Sequence, residues 1–135
     1  MADLELRNLT RRKTPVFAFT KAHALLLPTW NVSLAFVGEA PAKQLNRALR
    51  KKSYVPNVLA YPTGAKSGEV LICLAVAQKQ APDYGMSYPV FVGFLFIHAL
   101  LHLKGRRHGP TVGKAERQIH RRLAPTHSHA TTNRN

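Results

Sequence analysis

The run from Tyr88 to Leu103 constrains this chain more than any other segment. It reads Tyr-Pro-Val-Phe-Val-Gly-Phe-Leu-Phe-Ile-His98-Ala-Leu-Leu-His102-Leu, apolar nearly all round. A helix without a polar face has to be enclosed, so the rest of the chain must wrap it as a central, buried element. Ser87 stands where it can cap the helix and Gly105 where it can end it. Its longest apolar stretch, Val90 to Leu103, falls short of the roughly 20 residues that cross a bilayer, so a core helix is expected and no membrane span.

The flanking residues describe short elements with frequent punctuation. Leu4, Leu6 and Leu9 suggest an early strand. Thr14 before Pro15 reads as a helix start, with Phe17, Ala18, Ala22, Leu25 and Leu26 as the apolar face up to Pro28. Trp30, Val32, Leu34 and Phe36 alternate with smaller or polar residues, a strand pattern ended by Gly38. Pro41 opens a basic helix, its inward face assigned to Leu45, Ala48 and Leu49. Two strands are expected at 57–61 and 69–75, separated by a turn-like 62–68, and a short helix at 76–84 despite Pro82. A last amphipathic helix is expected over 111–123 on the seam Ala115, Ile119 and Leu123. The tail 125–135 has nothing to bury and is expected to be disordered. Strands mixed with helices in this order give an α+β (mixed α/β) class, a single domain over 1–124 with one small sheet covered by helices.

Length and charge narrow the function classes. A chain of 135 residues with 45% apolar content supports one core and not two ordinary domains. Twenty Lys and Arg against six Asp and Glu leave a formal charge of +14. An excess of that size favours a polyanionic partner, because each neutralised phosphate releases counterions. The single Cys73 lies in an apolar run and reads as a buried packing residue. With no secretory signal at the start, a reducing, cytoplasmic location is expected.

Inside the central helix, His98 and His102 lie four residues apart and therefore on one face, and Gly105 can turn the chain so that His108 swings back toward them. Two neutral imidazoles buried without partners would cost on the order of 2 kcal/mol or more each, so they require something to bind. Three imidazoles suit zinc, with nickel, copper or iron open on ligand type. A fourth position left open marks a catalytic centre, where a water would titrate near neutral pH. By contrast, His23 reads as a surface or boundary residue, and His120, His127 and His129 lack comparable spacing.

The spacing His98-x-x-x-His102-x-x-Gly105-x-x-His108 is also that of metzincin proteases, which place a glutamate general base directly after the first histidine. That position is Ala99 here, and no other acid lies in the loop. Lys104, Arg106 and Arg107 crowd the same loop. Cations beside a metal suit a phosphodiester better than a peptide.

Together, Phe96-Ile-His98-Ala-Leu-Leu-His102-Leu-Lys-Gly105-Arg-Arg-His108 resembles the metal motif of the YbeY-type bacterial rRNA maturation factors, typically His-Gly-x-Leu-His-Leu-x-Gly-Tyr-Asp-His. Upstream, Leu45-Asn46, Arg50, the stretch from Pro56 to Pro62 and Gly68-Glu-Val-Leu-Ile-Cys73 are similar to further family motifs in the same order. The resemblance covers about Leu45 to Leu123. It implies a zinc-dependent, single-strand-specific endoribonuclease acting on ribosomal RNA, notably at the 3′ end of small-subunit rRNA, and in ribosome quality control. It also implies a four-stranded sheet with the metal at the end of the central helix. Carried over by position, His98, His102 and His108 are the ligands and Arg50 faces the RNA path, with Lys51, Lys104, Arg106 and Arg107 adding charge.

Some positions depart from the family. Ala99 replaces Gly, Ala60 and Pro56 stand for Ser and Thr, and Arg106-Arg107 replaces Tyr-Asp, removing an acid beside the third ligand. Glu116 matches a family acid that could bond a ligand histidine; a surface glutamate beside Arg117 is the equal alternative. Two other functions stay open at this level: a non-catalytic ribosome-assembly RNA binder with a structural metal, and a zincin-like protease drawing its acid from elsewhere.

Overall fold

The computed structural model describes residues 2–105. Strands β1 (Leu4–Asn8), β2 (Asn31–Val37), β3 (Val58–Gly64) and β4 (Ser67–Cys73) form one sheet in the order β1-β2-β4-β3. The first three in that order run parallel, and β3 lies antiparallel on the far edge, joined to β4 by a hairpin. Parallel neighbours need crossovers. Helix α1 (Phe19–Leu26) supplies the one between β1 and β2; α2 (Glu39–Arg50) begins the one that leads from β2 through β3 to β4.

Strand β2 is buried on both faces, and its alternation assigns them. Val32, Leu34 and Phe36 join Val70 and Ile72 of β4 in the main core, with α1 and α4 (Tyr88–Leu103). Ala35 and Val37 join Leu71, Cys73 and Ala42 on the α2 side. Helix α4 is central, as its composition demands: Phe91, Val92, Phe96, Ile97 and Leu100 have no exposed surface. Ser87 Oγ accepts from the Val90 N–H at 3.4 Å, the N-cap the sequence offers. Gly105, at φ 87°, follows the helix end.

Close contact with α1's approach depends on a glycine. A Cβ on Gly93 would lie 2.2 Å from the Phe17 ring. Phe19 is the hub of an aromatic cluster in this core, with Phe17 and Phe36 tilted against it and Phe96 edge-on, at centroid distances of 5.3 to 5.8 Å.

Several expectations are corrected. Helix α1 starts at Phe19, not at Thr14-Pro15; the segment ahead of it is non-helical, and Thr14 Oγ1 accepts from the Asn8 amide at 3.1 Å. His23 is buried and not a boundary residue: Nε2 donates to the Trp30 carbonyl at 2.7 Å, so the ring staples α1 to the turn before β2. Helix α2 begins at Glu39, and Ala42, Leu45 and Asn46 face inward while Ala48 and Leu49 are exposed. Strand β4 ends at Cys73, so Leu74 and Ala75 open α3 (Leu74–Gln80), which leads into a 3-10 turn at Ala81–Tyr84 containing Pro82. The hairpin is tighter than expected, with β3 running on through Pro62 to Gly64. The early strand is present as β1, where Leu6 lies 37% exposed on the sheet edge.

Cys73 is buried as expected, and burial pushes its thiol pKa up, which suits packing better than nucleophilic chemistry. Among the described residues no single helix is long and apolar enough to cross a membrane. The expected helix over 111–123 and the tail 125–135 lie outside the described residues.

Candidate metal centre and nucleic-acid interface

The least buried part of α4 is a stripe at helical spacing, Phe94, His98 and His102, which leaves the core as the helix ends. His98 is half-buried and His102 exposed. Contrary to expectation, neither ring is enclosed among the described residues, so burial does not oblige the pair to bind an ion. The two Nε2 atoms face each other at 3.0 Å, with ring centroids 4.5 Å apart. Two nitrogens on a tetrahedral zinc lie about 3.3 Å apart at ordinary bond lengths, so this pair fits two adjacent ligand positions with little adjustment.

The third expected ligand, His108, lies outside the described residues, as do Arg106, Arg107 and Glu116. Among the described residues no group of three or more His, Cys, Asp or Glu side chains converges to hold an ion. His98 and His102 could hold a metal only with a donor from elsewhere.

A cavity of about 520 Å³ opens beside the histidine pair. One wall is α4, through His98, Ala99 and His102; another is edge strand β3, through Val58, Leu59 and Ala60. Arg50, the last residue of α2, reaches the same cavity with Tyr54 and Asn57. The Arg50 guanidinium donates to the Tyr54 hydroxyl at 3.3 Å. No carboxylate lines the cavity among the described residues; its polar lining includes the Arg50 guanidinium and the two imidazoles. Lys51 and Lys104 are exposed nearby in sequence but are not part of its wall.

The loop after α2 is rooted in the core. Lys51 adopts the left-handed conformation at φ 57°, and its N–H and that of Lys52 return to the Arg47 and Asn46 carbonyls. Asn46 is fully buried, and its amide donates to the Tyr54 carbonyl at 3.0 Å. Asn57 is held on the other side, its amide donating to Gln80 Oε1 at 2.9 Å and its carbonyl accepting from Cys73 N–H at 2.9 Å.

That last bond fixes the edge geometry of β3. Since Asn57 and Cys73 form a hydrogen-bonded pair, alternation turns the main-chain N–H and C=O groups of Val58 and Ala60 away from β4. These groups, which β4 does not pair, belong to residues that line the cavity.

Sequence reasoning missed Tyr54, and it noted Asn46 only as part of a motif, without its burial. The interleaving of Arg50, Lys51 and Lys52 with a lone aromatic at 54 was the available signal. Helical spacing puts Asn46 on the inward face with Ala42 and Leu45, but its polar side chain conceals its burial in a helix that is otherwise strongly polar.

Comparison with known proteins agrees with the motif order. The model of the family Endoribonuclease YbeY matches residues 2–124, further toward the N-terminus than the motifs reach. The chain belongs to the YbeY family. A YbeY from Helicobacter pylori is 31% identical over 127 residues, covering 91% of this chain and 90% of that protein. One from Polynucleobacter asymbioticus is 36% identical over 81 residues, covering 57% of this chain and 52% of its own. The chain thus spans about half the length of that relative and of the Mesoplasma florum one, where the share is 53%. The solution structure of a Thermotoga maritima protein shares the fold, with a TM-score of 0.63, 16% identity and 87% coverage of each chain.

Proposed function

We propose that this YbeY-family protein is a metal-dependent endoribonuclease that cuts single-stranded RNA, acting in rRNA maturation at the 3′ end of the small-subunit rRNA and in ribosome quality control. The observation that carries the reading is the convergence of Arg50 with His98 and His102 on one cavity that no carboxylate lines among the described residues. Such a lining attracts an anion and suits a phosphodiester.

In this reading His98, His102 and His108 hold one divalent ion, zinc by ligand type, with nickel a chemical alternative. When bound, the ion supplies Lewis-acid stabilisation of charge on the phosphate. Arg50 holds a non-bridging phosphate oxygen through its guanidinium and orients the scissile bond toward the histidine pair. Lys51, Lys104, Arg106 and Arg107 contribute longer-range attraction. The outward N–H groups of Val58 and Ala60 are positioned to bond the RNA backbone or a base edge. The protease alternative loses support, since Ala99 brings no carboxylate to the cavity wall.

The test is cleavage of a labelled single-stranded RNA and its duplex by zinc-loaded protein. Cutting of the single strand by wild type, and its loss in Arg50→Ala and His98→Ala, is the expected result. A zinc-loaded wild type that binds but never cuts would leave the non-catalytic assembly role in its place.

A further inference from the structure

We propose that Tyr54 forms a stacking subsite for one unpaired nucleobase of the strand that Arg50 holds by its phosphate. This inference rests on the RNA reading above and deepens it. Tyr54 is a large aromatic left 52% exposed at the wall of the cavity. An aromatic so exposed contributes little to the core, and among the described residues no other ring stacks on it.

Its position is nonetheless fixed before any ligand arrives. The fully buried Asn46 amide grips its carbonyl at 3.0 Å, and the Arg50 guanidinium binds its hydroxyl at 3.3 Å. The residue is therefore tied at both its backbone and its tip. Ordering a side chain on binding costs affinity, and here much of that ordering is already present.

The two groups complement each other chemically. A guanidinium takes a phosphate oxygen and an adjacent phenol ring takes a base face, the pairing used to track single strands. A base inside a duplex has both faces already stacked, so it has none to offer Tyr54. The subsite thereby gives a physical reason for preferring single strands, independent of the metal.

Binding of fluorescein-labelled oligoribonucleotides, followed by polarisation at fixed salt, tests this in the metal-free full chain. Three ligands are compared: a single strand, its duplex, and a strand of abasic ribose-phosphate units. Loss of one stacking contact in Tyr54→Ala is expected to weaken single-strand binding about tenfold. Duplex and abasic binding should be unchanged by it. Tyr54→Phe and Tyr54→Trp should bind the single strand within about twofold of wild type, since each keeps a ring face. The proposal is overturned if Tyr54→Ala matches wild type, if Tyr54→Phe falls as far as Tyr54→Ala, or if the abasic strand loses equally. Cleavage is scored separately with zinc-loaded protein: a wild type that shows base-dependent binding and, zinc-loaded, cuts nothing sinks the nuclease reading alone, while one that binds no single strand with or without zinc sinks both.

Discussion

At the residue scale, His102 offers the cleanest separation of site from fold. It is exposed at the last turn of α4, so removing its ring leaves the core untouched. His102→Ala is expected to weaken zinc affinity by more than the about 100-fold that loss of an outer partner can cause, with the unfolding midpoint unchanged. Competition with a chromophoric chelator measures the first and thermal circular dichroism the second. Unchanged zinc affinity would remove His102 from the ligand set. Tyr61 tells of pH. Its hydroxyl donates to Glu69 across the β3-β4 pair; burial, then that bond and the carboxylate charge, push its pKa from 10 up to about 12. The folded state thus holds the proton more tightly than the unfolded one. The resulting stability is complete below pH 10 and is lost as pH rises through about 12. Denaturant midpoints measured from pH 9 upward should fall over that window, and Tyr61→Phe should flatten the fall.

At the element scale, two junctions set how the helices meet the site. Gly93 lets the segment before α1 lie against α4, and a methyl there would drive into the Phe17 ring. Overpacking of this kind costs about 1–3 kcal/mol, so Gly93→Ala should lower the urea midpoint without changing the m-value. The C-cap of α2 works in the opposite sense. Lys51 holds a left-handed conformation that glycine adopts freely, so Lys51→Gly should stabilise the fold by up to about 1 kcal/mol. If Lys51 also attracts RNA, the same variant should bind the single strand more weakly. Stability and affinity moving in opposite directions, by urea titration and polarisation, would separate a cap from a ligand contact.

At the scale of the whole molecule, the charge of +14 governs how a polyanion arrives. The logarithm of single-strand affinity should fall linearly with that of salt, with a slope of about 0.7 per phosphate neutralised. Removing Lys51 or Lys104 should each lower the slope by up to about 0.7, and Tyr54→Ala should leave it alone, because stacking releases no counterion. A salt slope near zero would show that the basic surface serves some other purpose.

Much of this was legible in the chain itself. The period of α4, apolar all round, required a central buried helix, and the alternation in β2 marked a strand; that its second face is also covered, through Ala35 and Val37 on the α2 side, only the packing decided. The spacing of His98 and His102 put both rings on one face through helical geometry alone. Boundaries were less legible. Thr14-Pro15 carries a helix-start pattern, yet Asn8 takes the Thr14 hydroxyl and Phe17 seats on Gly93, so tertiary contacts delay α1 until Phe19. The burial of His23 and Asn46 was equally hidden, because a polar side chain enters a core only where a distant main-chain group meets it, here the carbonyls of Trp30 and Tyr54. For the same reason local pattern established which residues could bind a metal or a phosphate. Only the packing of α2, β3 and α4 around one cavity decided that Arg50, Tyr54 and the histidine pair would meet.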